Sequence, residues 1–240
     1  MHSYLSLNII YNFEIILPTR VTVIEVLQNR QEIDAATLKI QSLCLPPHLD
    51  LHKNWDHLLL YNAIATIDKQ SQIIDLGCGE CCTLNFLAAL NFNNLHGIDL
   101  QIGYDANTAY TLHQGNITQT PLVSGKCDVA ISISVIEHGV DLPAFFAEVS
   151  RLLKTGGLLF VTTDYWSEYI EIDSSIQPFG LEWKVFSGAD IEQLITLAQE
   201  NNLVLAQAED IPACSDKPVR WYGYKYTFIA LLFRKAAPKC

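Results

Sequence analysis

From about residue 72 onward, short apolar runs alternate with segments of helical periodicity. Apolar runs of four to eight residues that are rich in β-branched side chains are typical of buried strands, and the periodic segments between them indicate helices. The predicted strands cover residues 72–76, 95–100, 112–117, 127–134 and 158–163. Because strands and helices alternate, we predict βαβ units in a doubly wound, mostly parallel sheet of the α/β class.

Two of the periodic segments begin with residues that favour helix starts. Asp141 precedes a segment with Pro143 in its first turn, and aspartate is a preferred N-cap residue. Ser187 and Asp190 have the spacing of a capping box at the start of another apolar periodic segment. We therefore predict helices that start directly after Asp141 and Ser187.

The two ends of the chain have different patterns. Two strand candidates, at residues 203–208 and 224–233, are joined by a stretch that has no helical periodicity. Such a connection predicts an antiparallel pair, so we expect an antiparallel last strand at one edge of the sheet. Residues 51–67 have helical periodicity, which predicts an N-terminal helical cover over the sheet.

The chain has 240 residues, of which 50% are hydrophobic, and this favours one large domain. We assign residues 51–240 to this domain and residues 1–50 to an N-terminal extension. The extension contains an apolar stretch at residues 4–17 that polar residues interrupt and that has no basic start typical of a signal peptide. We interpret this stretch as a strand or helix packed on the domain, or as a poorly ordered extension.

Charge, hydrophobic length and cysteine content limit the kinds of partner and the cellular compartment that the sequence favours. The net charge of −11 repels phosphate backbones, and Lys and Arg form no basic patch, so we expect no nucleic-acid partner. No stretch reaches the roughly 18 apolar residues that cross a bilayer, so we expect no membrane partner. Seven cysteines are an odd number in a long chain, which favours free thiols and a cytoplasmic protein.

The ends of the first two predicted strands carry the candidate ligand site. In an open parallel sheet, ligands bind outside the carboxyl ends of the strands, where the strand order reverses. Gly77 and Gly79 follow the first strand, and glycine lets the backbone approach a ligand closely. Asp75 can accept hydrogen bonds from the loop or from an ammonium group. Asp99, 20 residues after Gly79, can accept from both ribose hydroxyls. The pattern predicts a nucleoside site, with an ordinary strand-helix turn as the alternative.

The nucleoside ligand has two candidates. A nicotinamide dinucleotide requires a third small residue where Cys82 stands, so that the helix N-terminus can bind the pyrophosphate. Cys82 meets this requirement only in part. The sequence also has no Tyr four residues before a Lys, the catalytic pair of short-chain dehydrogenases. An NAD-dependent dehydrogenase therefore stays an alternative.

Short motifs follow one another in a fixed order over residues 70–165. They are Ile73-Ile74-Asp75-Leu76-Gly77-Cys78-Gly79, Gly97-Ile98-Asp99, Gly115-Asn116-Ile117, Ser134-Val135-Ile136-Glu137-His138 and Arg151-Leu152-Leu153-Lys154-Thr155-Gly156-Gly157. This set resembles the ordered motifs of class I S-adenosylmethionine-dependent methyltransferases. The resemblance implies a seven-stranded sheet with an antiparallel last strand and S-adenosyl-L-methionine as the cofactor.

The resemblance also implies which residues bind this cofactor. They are Asp75, Gly77, Cys78 and Gly79 for the methionine part, Asp99 for the ribose, Leu100, Asn116 and Ile117 for the adenine, and Ser134 beneath the sulfonium. Asn116 stands where the family commonly has an Asp. This difference removes a charge but leaves a hydrogen bond to the adenine amino group possible.

Two further segments are candidates for the acceptor side. His138 directly follows Glu137 after the fourth strand, and it can act as a general base for a hydroxyl acceptor. Its alternative role is packing or hydrogen bonding in the loop. The predicted substrate-binding residues are Asp164, Tyr165, Trp166 and Trp183, which either line the acceptor pocket or pack at the surface.

Two clusters resemble metal sites without meeting their requirements. Cys78 and Cys81 have zinc spacing, but no second pair of ligands follows at a suitable distance. His48, His52 and His57 could bind a metal, although a solvated helix face explains them better. We therefore predict no metal.

These observations predict an enzyme that transfers a methyl group from S-adenosylmethionine to an N or O atom of a small-molecule acceptor. The fourth strand is followed neither by the Asn/Asp-Pro-Pro-aromatic motif of enzymes that methylate nucleic-acid amino groups nor by a Pro-Cys nucleophile. Together with the acidic surface, this favours a small acceptor. The alternatives are the dehydrogenase and a non-catalytic cofactor-binding scaffold.

Overall fold

The computed structural model describes residues 23–103, 109–206 and 210–237. The predicted apolar segment at residues 4–17 lies outside these ranges. The same is true of residues 207–208, the end of the strand predicted at residues 203–208.

Nine strands and five α-helices lie within these ranges. The strands are β1 (Ile24–Val26), β2 (Gln72–Leu76), β3 (Asn94–Asp99), β4 (Thr111–Gln114), β5 (Cys127–Ile133), β6 (Leu153–Tyr165), β7 (Leu203–Leu205), β8 (Val219–Trp221) and β9 (Tyr224–Lys235). The helices are α1 (Arg30–Ser42), α2 (Asn54–Ala63), α3 (Cys82–Ala89), α4 (Leu142–Leu152) and α5 (Gly188–Glu200). A short 3-10 turn at Leu51–Lys53 leads into α2.

The strands form one sheet in the order β1-β9-β6-β5-β2-β3-β4, and β7 and β8 also pair with β9. The strands from β2 to β6 are parallel to their neighbours, whereas β9 is antiparallel to β6. This confirms the doubly wound, mostly parallel sheet with an antiparallel last strand. Seven strands in the order β4-β3-β2-β5-β6-β9-β7 match the predicted set, and the short strands β1 and β8 are additions.

The helix starts also agree with the sequence predictions. The Asp141 side chain accepts a hydrogen bond from the Ala144 amide and caps α4. Ser187 and Asp190 form a reciprocal capping box at the start of α5. The predicted antiparallel pair near the C-terminus is β7 with β9. The strand predicted at residues 112–117 is β4, which ends at Gln114 and is therefore shorter than predicted.

The buried apolar side chains form two main clusters, one on each face of the sheet. Along β6, Phe160 belongs to one cluster, while Leu159 and Val161 belong to the other. This is the alternation that a strand imposes on successive side chains. Helices α4 and α5 cover the face that includes Leu159, and α2 lies on the Phe160 face.

The N-terminal helical cover consists of α1 and α2, which pack against each other. Asn54 at the start of α2 is fully buried, donates to the Thr37 hydroxyl and accepts from the His48 amide. Strand β1 pairs with β9 in the main sheet. Residues 24–42 therefore pack onto the same sheet as the rest of the chain, and the domain boundary at residue 50 stays a prediction.

None of the cysteines in the described ranges forms a disulfide. Across those ranges, none of the helices combines the length and the apolar character that a bilayer crossing requires.

Candidate active site

The glycine loop after β2 lies where the strand order reverses. Strands β3 and β4 extend from one side of β2, and β5 and β6 extend from the other. The amides of Gly77 and Cys78 both donate to the Ile98 carbonyl oxygen on β3, at 2.8 and 3.1 Å. These bonds hold the loop against the end of β3. The predicted ligand loop is therefore placed at the switch point of the sheet, where ligands of open α/β sheets bind.

The two glycines have different local requirements. Gly77 has φ +88°, and a Cβ built on it would lie 2.4 Å from Val135 Cγ2. Gly79 also has positive φ, at +43°, but its added Cβ would meet no heavy atom within 4 Å. Gly77 thus permits close packing on the chain after β5, while Gly79 borders open space.

Two main-chain amides, those of Gly79 and Gln101, hold the Asp99 carboxylate in place. Its Oδ2 accepts from the Gly79 amide at 2.9 Å, and its Oδ1 accepts from the Gln101 amide at 3.1 Å. Each carboxylate oxygen retains a further lone pair. The structure therefore brings Asp99 next to Gly79 and fixes the orientation of its carboxylate.

Asp75 is a buried carboxylate at the end of β2. Burial, together with the negative charge of Asp99, raises its pKa to about 7. Within the described ranges, its carboxylate accepts no hydrogen bond. A buried carboxylate without a donor is costly, and an ammonium group is the ligand that would satisfy it best.

The other predicted cofactor residues lie along the same edge. The Gly115 amide donates to the Asp99 carbonyl oxygen at 2.8 Å, which places Asn116 beside the end of β3. Asn116 is exposed, and its Oδ1 accepts from both the amide and the hydroxyl of Thr118 at 2.9 Å. Leu100 is 50% exposed, whereas Ile117 is buried. An apolar side chain half open to solvent beside Asp99 offers a surface for a planar ring.

Cys78 and Ser134 complete the predicted set on the other side of Asp75. Cys78 is buried, and burial together with the charge of Asp75 raises the pKa of its thiol. Ser134 has φ +52°, and its amide donates to the Thr162 carbonyl oxygen on β6 at 3.0 Å. Its hydroxyl accepts from the ammonium of Lys53. Lys53 was not among the residues predicted from the sequence.

His138 lies in the loop after β5, between aromatic rings. Its ring stands edge-on to Phe179 and Trp221, with centroids 5.4 and 5.9 Å away. Burial and the positive charge of Lys53 lower its pKa to about 4. Its Nδ1 is buried and has no hydrogen-bond partner in the part of the chain that the structure describes. His138 is therefore a neutral imidazole at pH 7.

The four predicted substrate residues are divided between two environments. Asp164 and Trp183 lie together, since the Trp183 indole donates to Asp164 Oδ2 at 2.9 Å. Trp166 is partly buried, with the Lys217 ammonium 4.1 Å from its ring centroid. Tyr165 belongs to the cluster on the other face of the sheet. The structure therefore does not bring Tyr165 together with Asp164 and Trp183.

Two buried carboxylates near Asp164 were also missed as site residues. Asp56 on α2 is fully buried, and neither of its oxygens has a hydrogen-bond partner among the described residues. Glu137 is buried beside Thr163, whose hydroxyl donates to it at 3.0 Å. The positive charge of Lys53 acts on all three carboxyls. We call Asp56, Glu137 and Asp164 the acidic pocket.

Burial raises the pKa of each carboxyl in the acidic pocket. The pKa values are raised to about 6 for Asp56, about 8 for Glu137 and about 6 for Asp164. The charge of Asp164 adds to the effect on Glu137, while Lys53 opposes it. The positive charge of one lysine, Lys53, therefore acts on three carboxyls that are buried away from water.

The histidines near the N-terminus differ from the expectation of a solvated helix face. His57 is fully buried against Phe86, and its Nε2 lies 3.3 Å from the Thr83 hydroxyl. The expectation is wrong for His57 because it points into the core rather than to solvent. His52 is bound to Asp50 at 2.7 Å. Over the described ranges, no group of three or more His, Cys, Asp or Glu could hold a metal ion.

Comparison with known proteins identifies similar sequences and a similar fold. A family model described as "Methyltransferase domain" matches residues 74–161. A probable S-adenosylmethionine-dependent methyltransferase of Mycobacterium tuberculosis is 27% identical over 126 residues, which are 49% of this chain and 45% of that protein. The chain thus spans less than half the length of this curated relative.

Two solved structures have a similar fold. Geranyl diphosphate C-methyltransferase from Streptomyces coelicolor A3(2) has a TM-score of 0.59 at 16% identity, covering 85% of this chain and 87% of that one. The 1,6-didemethyltoxoflavin-N1-methyltransferase of Burkholderia thailandensis has a TM-score of 0.60 at 10% identity, covering 87% of each chain. At these identities the likeness concerns the fold. Residues 74–161 thus match a methyltransferase-domain model, and the described chain has the fold of these S-adenosylmethionine-dependent methyltransferase structures.

Proposed function

We propose that this protein transfers the methyl group of S-adenosylmethionine to an N or O atom of a small-molecule acceptor and releases S-adenosylhomocysteine. The observation that carries the proposal is the pair of carboxylates at the switch point. Asp99 is fixed by the Gly79 and Gln101 amides, and Asp75 is buried beside it without a donor. A ligand with ribose hydroxyls and an ammonium group fits both of them.

The chain's residues would divide the cofactor between them. Asp75 would hold the amino group, and Asp99 would accept from the ribose hydroxyls. Leu100, Asn116 and Ile117 would border the adenine, with Ser134 at the sulfonium. When bound, the cofactor supplies a methyl group on a good leaving group, so the protein has mainly to position the acceptor lone pair in line with the sulfur-carbon bond.

The acceptor would lie beyond Ser134, beside the loop after β5. Asp164 and Trp183 border this region, and we keep both as proposed substrate residues together with Trp166. The two similar structures carry the names of small-molecule acceptors, one methylated at carbon and one at nitrogen. These names support a small acceptor for this chain. The proposed N or O atom rests on the chain's own residues.

His138 is the proposed general base for a hydroxyl acceptor. Its imidazole is neutral at pH 7, so it can accept a proton, although a pKa near 4 makes it a weak base. If His138 is the base, His138→Ala should reduce turnover at least tenfold with little change in the affinity for S-adenosylhomocysteine. Equal turnover would limit His138 to packing against Phe179 and Trp221.

Calorimetric titration tests the cofactor assignment. We expect S-adenosylmethionine and S-adenosylhomocysteine to bind to the wild-type chain, and NAD to bind at least tenfold more weakly. Asp99→Ala should weaken the binding of S-adenosylhomocysteine about tenfold or more, because hydrogen bonds to a charged group contribute about 1.5 to 3 kcal/mol. Tight binding of NAD alone would support a dehydrogenase and refute the proposal.

Transfer itself requires a turnover measurement. A screen of small amines and alcohols, read out as formation of S-adenosylhomocysteine, should identify an acceptor that is methylated. Binding of the cofactor without turnover of any acceptor would favour the non-catalytic scaffold.

A further inference from the structure

Lys53 places a positive charge where the acceptor is expected. It ends the 3-10 turn before α2, and its ammonium donates to the Ser134 hydroxyl. The same ammonium lies 3.5 Å from the centroid of the Phe228 ring, over its face. A hydroxyl acceptor below and an aromatic face beside it are both favourable surroundings for an ammonium group. This arrangement is a binding position for a cationic nitrogen.

The charges around Lys53 are unbalanced. The acidic pocket contributes three buried carboxyls from three separate segments, namely α2, the loop after β5 and the end of β6. The positive charge of Lys53 acts on all three. At pH 7 a pKa of about 8 leaves Glu137 protonated, so Asp56, Asp164 and Lys53 together carry a net charge of about −1, which attracts a cation and repels an anion.

Asp56 gives an independent indication of a ligand. Both of its oxygens are buried and without a hydrogen-bond partner in the described ranges. Its charge acts on Asp164, so the two carboxyls face the same region. The Thr162 hydroxyl on β6 lies close enough to act on the Asp56 carboxyl, although the two do not meet the geometry of a full hydrogen bond. A buried polar group without a full hydrogen bond is destabilising, and an N–H donor bound beside the Asp56 carboxylate would satisfy it.

We propose that the methyl acceptor is an amine, and that its nitrogen takes the position that the Lys53 ammonium occupies between Ser134, the Phe228 ring and the acidic pocket. This inference rests on the proposed function, since it names the acceptor class of the same site. Lys53 acts as an internal substitute for the acceptor and moves toward solvent when the amine binds. The path is short, because Lys53 is only partly buried and stands at the start of α2.

The acidic pocket also gives the amine a route for its proton. An ammonium group has no lone pair, so it must first transfer a proton to a carboxylate. Glu137, whose pKa burial raises to about 8, accepts this proton in its ionised form, so the transfer should become faster as pH rises toward 8. The freed lone pair then forms the new nitrogen-carbon bond as the sulfur-carbon bond breaks. The positive charge passes from the sulfonium to the methylated nitrogen, and Glu137 later releases its proton to water.

The test uses the full chain saturated with S-adenosylhomocysteine. Calorimetry measures the binding of primary and secondary amines from methylamine to benzylamine, each paired with the alcohol and the carboxylate of the same carbon skeleton. We expect at least one amine to bind tenfold or more tightly than its two partners. If no amine is preferred, or if a carboxylate binds best, the inference is overturned.

Two variants test the roles of Lys53 and Asp56 in amine binding. Lys53→Met removes the internal competitor and should tighten the binding of the preferred amine at least threefold. Loss of amine binding in this variant would show that Lys53 itself holds the ligand and would overturn the inference. Asp56→Asn should weaken the same amine about tenfold. The control is Asp34→Asn, an exposed carboxylate on α1 that pairs with Arg30 and should leave binding unchanged.

A folding check and a cofactor-binding check separate the possible reasons for a negative result. Lys53→Met leaves buried carboxyls without a cation, so its fold is checked by circular dichroism, and Asp56→Asn decides alone if the first variant does not fold. Binding of S-adenosylhomocysteine is measured first in every variant. If that binding is absent in the wild type, the proposed function has failed. If it is present but no amine binds, only the inference of an amine acceptor has failed.

Discussion

The glycine loop and the acidic pocket lie at the same edge of the sheet but are built from different parts of the chain. The glycine loop, residues 75–79 with Asp99, uses main-chain amides from one strand-loop-helix unit and a carboxylate from the next strand. The acidic pocket uses side chains from three segments far apart in sequence.

This difference has a functional meaning. A loop whose amides hold it against the next strand tolerates few changes, because its geometry, and with it the position of the Asp99 carboxylate, is the geometry of the fold itself. A pocket assembled from separate side chains can change without altering the sheet, so it is suited to the part of the ligand that differs between enzymes. Four substitutions separate the two regions, with expected effects from large to small.

Gly77→Ala should produce the largest effect. Its Cβ would lie 2.4 Å from Val135 in a backbone with φ +88°. We expect the free energy of unfolding to fall by about 2 to 4 kcal/mol, with loss of S-adenosylhomocysteine binding. Urea unfolding and calorimetry measure both. The matched control is Gly115→Ala, where the added Cβ meets no atom within 4 Å and φ is not positive. Equal destabilisation by the two changes would contradict the close approach at Gly77.

The buried carboxyls predict a pH dependence of stability. A carboxyl whose pKa is higher in the folded state binds more protons when folded, so stability falls as pH rises from the unfolded to the folded pKa. Burial raises the pKa of Glu137 from 4.5 to about 8 and that of Asp75 from 3.8 to about 7. The buried imidazoles of His57 and His138 have lowered pKa values and oppose this trend, but only below pH 6.5.

The window from pH 6.5 to 8.5 therefore isolates the carboxyls. We expect the free energy of unfolding to fall by about 2 kcal/mol across it. The titratable groups that act on Glu137 or respond to it are Lys53, Asp164 and Tyr226. Glu137→Gln should flatten the dependence, as urea unfolding at several pH values would show. Glu192→Gln, at an exposed position on α5, should keep the wild-type slope. A slope that Glu137→Gln leaves unchanged would remove Glu137 from the account.

Trp183→Phe changes the acidic pocket while leaving the glycine loop intact. It removes the indole donor that lies 2.9 Å from Asp164 Oδ2 and leaves an aromatic ring in place. We expect about 1 to 1.5 kcal/mol lower stability and weaker acceptor binding, with unchanged affinity for S-adenosylhomocysteine. A loss of cofactor affinity equal to the loss of acceptor affinity would show that the two regions are not separable.

Asn116→Ala should give the smallest effect, at the edge of the cofactor region. Asn116 is exposed, and its Oδ1, the atom expected to accept from the adenine amino group, already accepts twice from Thr118, so only its Nδ2 is left to donate to a ring nitrogen of the adenine. We expect two- to fivefold weaker binding of S-adenosylhomocysteine, as for one ordinary hydrogen bond. A loss of more than a hundredfold would mean that Asn116 has a larger role than its exposure indicates.

Local patterns were enough to predict most of the sheet. The β-branched run at residues 127–134 and the capping box of Ser187 and Asp190 depend on neighbours in sequence, and both predictions are confirmed. The spacing of Gly79 and Asp99 was informative for the same reason, because adjacent parallel strands bring their ends together. Strand β8 was missed because its three residues pair only through a hairpin with β9.

Long-range placement explains what the sequence did not reveal about the site. Lys53 belongs to a segment that reads only as a helical cover, and its contact with Ser134 spans 81 residues. Asp56 and Glu137 look like ordinary polar positions until the fold buries them. Tyr165 is different, because strand alternation alone places it opposite Asp164, and this signal was available in the sequence.

A crystal structure of the chain with S-adenosylhomocysteine bound would show directly which residues bind the cofactor. We expect the ribose hydroxyls within about 3 Å of the Asp99 carboxylate, the amino group on Asp75, and the sulfur facing Ser134 and the position of the Lys53 ammonium. A ligand bound away from Asp99, or with its sulfur directed away from the acidic pocket, would contradict this expectation.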